Sequence, residues 1–237
     1  MPEGIKKLLI HNGIVNRNSP DFPYVRIGGL GLSILEKVLN KAQTEGLSFL
    51  RVQPRNIFKI KENIEKTYKD TPKPEGGVKV YVQKGNWVYV NKNIVRGYEE
   101  QKNLVNSWKV VAAKGSSGDD VFPHAIISQP RIVEAGAVCS DTYLVVKGFS
   151  ENNAKQDAQA FVDYMKSEFF RFMMLLAKND QNLTRHCYRF VPDIPSEWYS
   201  NPCDYFALES CELDFIHKFI KEWDSKDVEG ICLNSNL

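Results

Sequence analysis

Lysines, hydroxyls and glycines crowd together at 108–120, where the run WKVVAAKGSSGDD carries Lys109, Lys114, Ser116 and Ser117 around Gly115 and Gly118. Side chains of these types, beside main chain laid open by glycine, are the donors that phosphate oxygens take up. An exposed hairpin tip accounts for the same letters equally well. A second group lies further along. Arg171 and Lys178 sit in an apolar run, and Gln181, Asn182, Thr184, Arg185, His186 and Arg189 follow it. Arginine can form paired bonds to guanine in the major groove, and glutamine or asparagine to adenine. Such residues at a helix end can read bases, clamp phosphates, or simply face water.

Bond-making chemistry leaves a different signature. A DNA methyltransferase needs a glycine-rich turn where main chain approaches the methyl donor S-adenosylmethionine. It also needs an Asn/Asp-Pro-Pro-Tyr/Phe loop that holds a flipped base by its amino group. Asn201-Pro202-Cys203-Asp204 lacks the second proline and the aromatic, and reads as a turn between helices. Gly28, Gly29 and Gly31 lack the full G-x-G-x-x-G spacing and the P-loop lysine, so they read as a helix entry. Restriction-type nucleases need an aspartate, then an acidic-x-lysine triplet that positions a divalent metal and assists the attacking water. The run Asp163–Met165 has no lysine, Glu36-Lys37 is wrongly spaced, and Asp224-Ser225-Lys226 falls in an acidic tail rather than a strand. The histidines at 11, 124, 186 and 217 offer no zinc-ligand spacing, and the five cysteines show no paired C-x-x-C pattern. No catalytic residue and no metal ligand is assigned.

The formal net charge of +2 is unevenly spread. From Asp193 onward three lysines face ten acidic residues, a net of −7, which leaves a net of +9 on the preceding part. A basic body with an acidic tail suits a polyanionic partner. An ordinary solvated surface with an acidic last helix fits the same counts. With 43% hydrophobic and 25% charged residues, the composition is that of a globular chain. No apolar run reaches the roughly 18–20 residues of a membrane span. The start MPEGIKKLLIHNG has no apolar stretch of signal-peptide length, so a cytoplasmic protein with free thiols is expected.

These side chains need elements to hold them. LSILEKVLNKAQ sets Leu32, Leu35, Val38 and Leu39 on one helical face. Residues 47–60 read as a strand broken by Pro54, and VKVYVQKGNWVYV alternates around Lys84-Gly85-Asn86 as a hairpin does. Strand-like runs follow at 108–113, 124–128, 131–136 and 139–149. After Ser150 the period changes. Asn152 or Asn153 can cap one long helix, along which Ala158, Phe161, Val162, Met165, Phe169, Phe172, Met173 and Leu176 recur at helical steps. ESCELDFIHKFIKEW places Leu213, Ile216, Phe219 and Ile220 on one side of a last amphipathic helix. The order predicts an α+β fold, a central β-rich domain flanked by an N-terminal helix and C-terminal amphipathic helices.

Residues 108–224 carry an ordered series of motifs: Trp108-Lys109-Val110, the glycine-serine loop at 115–118, IISQP at 126–130 and GAVCSDTYLVV at 136–146. YMKSEFFRFMMLLAKNDQNLTRHCYRFVPDI at 164–194 continues it, with an aromatic-Arg-Phe triplet and an aromatic-Val-Pro ending, and Glu197-Trp198 and ELDFIHKFI at 212–220 close it. In this order and spacing they resemble the C-terminal target-recognition region of type II adenine-specific DNA methyltransferases, including enzymes that fuse methylase and endonuclease in one chain. The resemblance implies a mixed recognition domain at 46–237, with 1–45 similar to the tail of a methylase domain. It implies that side chains of this region choose a sequence on double-stranded DNA, while a methylase partner binds S-adenosylmethionine and flips the adenine. The contact set expected is Lys109, Lys114, Ser116, Ser117, Arg171, Lys178, Gln181, Arg185 and Arg189, with Gln181 and Arg185 as base readers and the lysines on phosphates. Two other readings stand beside it: a restriction endonuclease with an unrecognised metal-dependent site, and a subunit or decoy that binds a methylase or endonuclease rather than DNA.

Overall fold

Helical spacing of apolar residues after residue 29 produces helix α1, Leu30–Glu45, which buries Ile34, Leu35, Val38, Leu39 and Ala42. Gly46 ends it in the left-handed region (φ 69°), a conformation that glycine adopts without a Cβ clash. The structure is a computed structural model and describes residues 29–60, 64–69, 71–82, 85–115, 122–178 and 182–223. The segment 1–28, the Asp224-Ser225-Lys226 triplet, and Ser116, Ser117 and Gln181 lie outside the described residues.

A short helix, α2 (Ile64–Tyr68), precedes the hairpin of β1 (Val78–Tyr81) and β2 (Trp87–Val90). Val78 pairs with Val90 and Tyr81 with Trp87, and Gly85 supplies the positive φ that the turn needs (80°). Helix α3 (Lys102–Val105) then leads into β3 (Trp108–Ala113), followed by β4 (Arg131–Val133), β5 (Val138–Cys139) and β6 (Tyr143–Phe149). Two three-stranded sheets result. One has the order β2-β1-β5, with β5 parallel to β1; the other is antiparallel, β4-β3-β6.

Alternation along the second sheet makes it the middle layer. Val110 and Ala112 of β3 and Leu144 and Val146 of β6 enter a large core shared with the helices. Val111, Val145 and Val133 enter a smaller core with the first sheet. Side chains of a strand point alternately to its two faces, so a sheet covered on both sides reads as the nearly continuous apolar run seen at 110–112 and 144–146. The fold is α+β, as the order of elements predicts.

The run 150–180 departs from the single helix expected of it. It forms α4 (Ala154–Lys166) and α5 (Glu168–Ala177), separated by Ser167 in an extended conformation (φ −57°, ψ 148°). The Ser167 hydroxyl donates to the Tyr164 carbonyl at 2.7 Å and accepts the Phe170 N–H at 3.1 Å, so one side chain serves both helix ends. Asn153 occupies the N-cap position of α4 without a side-chain cap bond. Residues 47–60 and 124–128 form no named strand. Leu50 N–H donates to Val191 O and Gln53 N–H to Val145 O, and His124 makes one isolated bridge to Ile220, but Asn56, Lys59 and Ile126 have positive φ and interrupt both runs.

Pro202 opens a short helix, α6 (Pro202–Tyr205), where residues 201–204 read as a turn in the sequence. The last helix, α7 (Ser210–Phe219), starts with a reciprocal capping box between Glu209 and Glu212. Lys37 of α1 bridges both carboxylates, at 3.0 and 2.7 Å, and fastens α1 to α7. Helix α1 thereby shares the large core with the rest of the described chain. Leu213 points outward, 37% exposed, and only Ile216, Phe219 and Ile220 of the expected face reach the core. No helix among the described residues is long and apolar enough to cross a membrane.

Candidate nucleic-acid interface

The two segments singled out by residue type meet in space through their described parts, at 114–115 and 182–183. Beyond β3 the Lys114 N–H donates to Thr142 O at 3.0 Å, and the Lys114 carbonyl accepts the Leu183 N–H at 2.8 Å. Gly115 and Asn182 then pair in an isolated antiparallel bridge. The second segment continues into a single 3-10 turn, Arg185–Tyr188. Leu183, Cys187 and Tyr188 are buried beneath it, while Asn182, Thr184, Arg185 and His186 are exposed. Apolar anchors below and polar side chains above give a fixed rim that offers donors to solvent.

A third segment, which residue type alone did not mark, joins this rim. The Lys114 ammonium pairs with Asp141 at 3.1 Å, and the Arg55 guanidinium approaches the same carboxylate oxygen at 3.4 Å. Arg55 is carried there by the piece 51–54, whose Gln53 N–H donates to β6 at Val145 O (3.0 Å). The turn after it is closed by the Asn56 side chain, which accepts the Ile60 N–H at 2.9 Å and donates to Ile60 O at 3.0 Å. Asp141 is 15% exposed and Arg55 65%, so the shared carboxylate lies inside and the guanidinium outside. No local pattern signals this arrangement, because its three side chains come from three distant parts of the chain.

Burial removes three residues from the expected contact set. Lys109 is fully buried, and its ammonium donates to the carbonyls of Ser107 (2.6 Å), Val105 (3.0 Å) and Glu134 (3.4 Å). Burial pushes its pKa down to about 8, against the opposing pull of Cys139 and Glu134. The same burial pushes the Cys139 thiol up to about 12. Arg171 is 1% exposed; its Nε donates to Lys166 O at 3.0 Å and Ser167 O at 3.3 Å, and its Nη1 to Lys221 O at 2.7 Å. Its guanidinium also lies over the Trp223 ring, 5.2 Å from the centre, and burial lowers its pKa to about 10. The aromatic-Arg-Phe triplet is therefore a clamp that fastens the chain after α7 to the α4–α5 junction. Lys178, at the end of α5, is likewise fully buried. None of these three cations reaches a surface that DNA could touch in this fold.

Of the remaining expected contacts, Lys114 is partly exposed and Arg185 exposed, and both stand on the rim. Arg189 is half-buried with its guanidinium 4.8 Å from the centre of the Phe190 ring, and burial lowers its pKa. Elsewhere, a hollow of about 420 Å³ is lined by Glu151, Asn152, Asn153 and Asp157. Its two carboxylates repel phosphate, so it does not extend the interface. Among the described residues, no three histidine, cysteine or acidic side chains stand together as a metal site requires. Compared with models of known protein families and with curated proteins, the chain gives no match.

Proposed function

We propose that this chain is a non-catalytic module that recognises a short sequence on double-stranded DNA for a restriction–modification adenine methyltransferase or its restriction partner. The observation that carries the reading is the joining of Lys114–Gly115 to Asn182–Leu183 by main-chain bonds. It brings Lys114, a phosphate-type donor, beside the exposed Asn182 and Arg185, which are of base-reading type, and this supports a division of labour like that of DNA recognition. The basic net charge of the chain before Asp193 supports it, and so does the motif series at 108–224. In this reading S-adenosylmethionine and the flipped adenine belong to the methylase partner, and the revised contact set begins with Lys114 and Arg185.

Duplex binding followed by fluorescence anisotropy across a salt series tests the proposal. Lys114→Ala is expected to weaken binding to all sequences alike, without changing which sequence is preferred. Arg185→Ala is expected to cost about 1–3 kcal/mol on a preferred site selected from a random pool, and to relax that preference. No binding to any duplex at low salt refutes the proposal. Magnesium-dependent cleavage of plasmid DNA by the purified chain refutes the non-catalytic part of it.

A further inference from the structure

Resting on the DNA-recognition reading, we infer that Arg55 and Lys114 form one phosphate-gripping pair, with Asp141 as the residue that positions both. The Asp141 oxygen accepts from Lys114 Nζ at 3.1 Å and from Arg55 Nη2 at 3.4 Å, so the two nitrogens lie no further apart than the sum of those distances. Two cations share one anion, and a positive charge is left over at the rim. Arginine carries five N–H donors and an ammonium three, so each group retains donors after serving Asp141. Two nitrogens that meet on one carboxylate oxygen are close enough to meet on one phosphate group, whose oxygens accept in the same way. Asp141, mostly buried at the turn into β6, cannot leave with the ligand and keeps the pair in register.

The pairing also explains why the rim is built from three segments. Lys114 follows β3, Asp141 begins the turn into β6, and Arg55 rides on the piece bonded to Val145 of that strand. The main chain of Lys114 is bonded to that of Leu183, so a phosphate held here lies next to the segment that carries Asn182 and Arg185.

Counterion release counts the phosphates that are neutralised, not the cations that touch them, with a slope of about 0.9 per phosphate. Anisotropy titrations of a short labelled duplex over a sodium chloride series therefore read the inference directly. Arg55→Ala and Lys114→Ala are each expected to weaken binding severalfold, and the double variant to lower the salt slope by about 0.9 in total. Arg55→Lys restores most of the affinity, which a purely structural role would not. Arg55 is exposed, so the thermal unfolding midpoint of Arg55→Ala is expected to match that of the wild type; Arg55→Gln serves as a second variant that removes the charge and keeps a polar side chain. A double variant that lowers the slope by about twice that amount assigns the two cations to separate phosphates and overturns the inference. So does unchanged binding by Arg55→Ala while Lys114→Ala is weakened. A wild-type chain that binds no duplex overturns the functional reading itself, and this inference with it.

Discussion

Replacing Lys109 by methionine tests whether its ammonium is a buried structural cation. Burial moves the group from its ordinary 10.5 to about 8. At about 1.4 kcal/mol per unit, keeping it charged inside costs on the order of 3 kcal/mol. Below pH 8 the folded and unfolded chains both hold the proton and the cost is present in full. Between pH 8 and 10.5 the unfolded chain still binds a proton that the folded chain has released, so stability rises with pH. Above that range both forms are neutral and the cost has gone. Methionine keeps most of the length of the side chain and cannot titrate. It also gives up the bonds to three carbonyls, but Val105 O keeps the Gly136 N–H at 2.9 Å and Glu134 O keeps the Ala137 N–H at 3.2 Å. The Ser107 carbonyl is the acceptor that loses its donor, at about 1–3 kcal/mol. The two effects nearly cancel at neutral pH, so wild type and Lys109→Met are expected to unfold at similar urea concentrations there. As the pH rises towards 10.5 the wild type is expected to gain about 3 kcal/mol over the variant, on the order of 10 °C in unfolding midpoint for a chain of this size. A stability difference that stays flat across this range refutes the burial argument. A folded Lys109→Met protein with a reduced salt slope for DNA returns Lys109 to the phosphate contacts.

Arg171→Ala removes three charge-assisted bonds and the contact with Trp223, and is expected to cost about 3 kcal/mol in urea unfolding. Arg171→Lys recovers little, because one ammonium does not reproduce a planar fork that spans two elements; a stable Arg171→Ala protein with weakened DNA binding contradicts this. Gly97→Ala is expected to destabilise by about 2 kcal/mol, because its Cβ meets Ile57 O at 2.8 Å and the Phe58 carbonyl carbon at 2.9 Å, both backbone atoms. Gly115→Ala, whose Cβ meets nothing within 4 Å, is the control expected to unfold like the wild type.

Where the sequence was legible, the signal was local. The hairpin at 78–90 follows from alternating valines and tyrosines around a glycine turn, and its register matches that alternation. Helix α1 follows from apolar residues at three- and four-residue steps. The break at Ser167 escaped, because the apolar period runs on through it and only the hydroxyl's two bonds end one helix and start the next. The run 47–60 shows apolar alternation but forms no ladder, because it meets its neighbours through one isolated bridge, Phe49 to Pro192, and a single bond from Gln53. Lys109 and Arg171 mislead for a related reason. A cation in the sequence carries no mark of which way it points, and these two find carbonyl oxygens inside the fold.

The sequence by itself determined the α+β class, helix α1, the hairpin, and the residue types suited to a polyanion, because each depends on neighbours within a turn or a strand. Tertiary structure alone decided which cations reach solvent and which side chains share a site. Arg55, Lys114 and Asp141 become neighbours only when β3, the start of β6 and the piece at 51–54 are laid side by side. Such proximity is set by long-range main-chain bonds and a common core, and these leave no periodic trace in the order of residues.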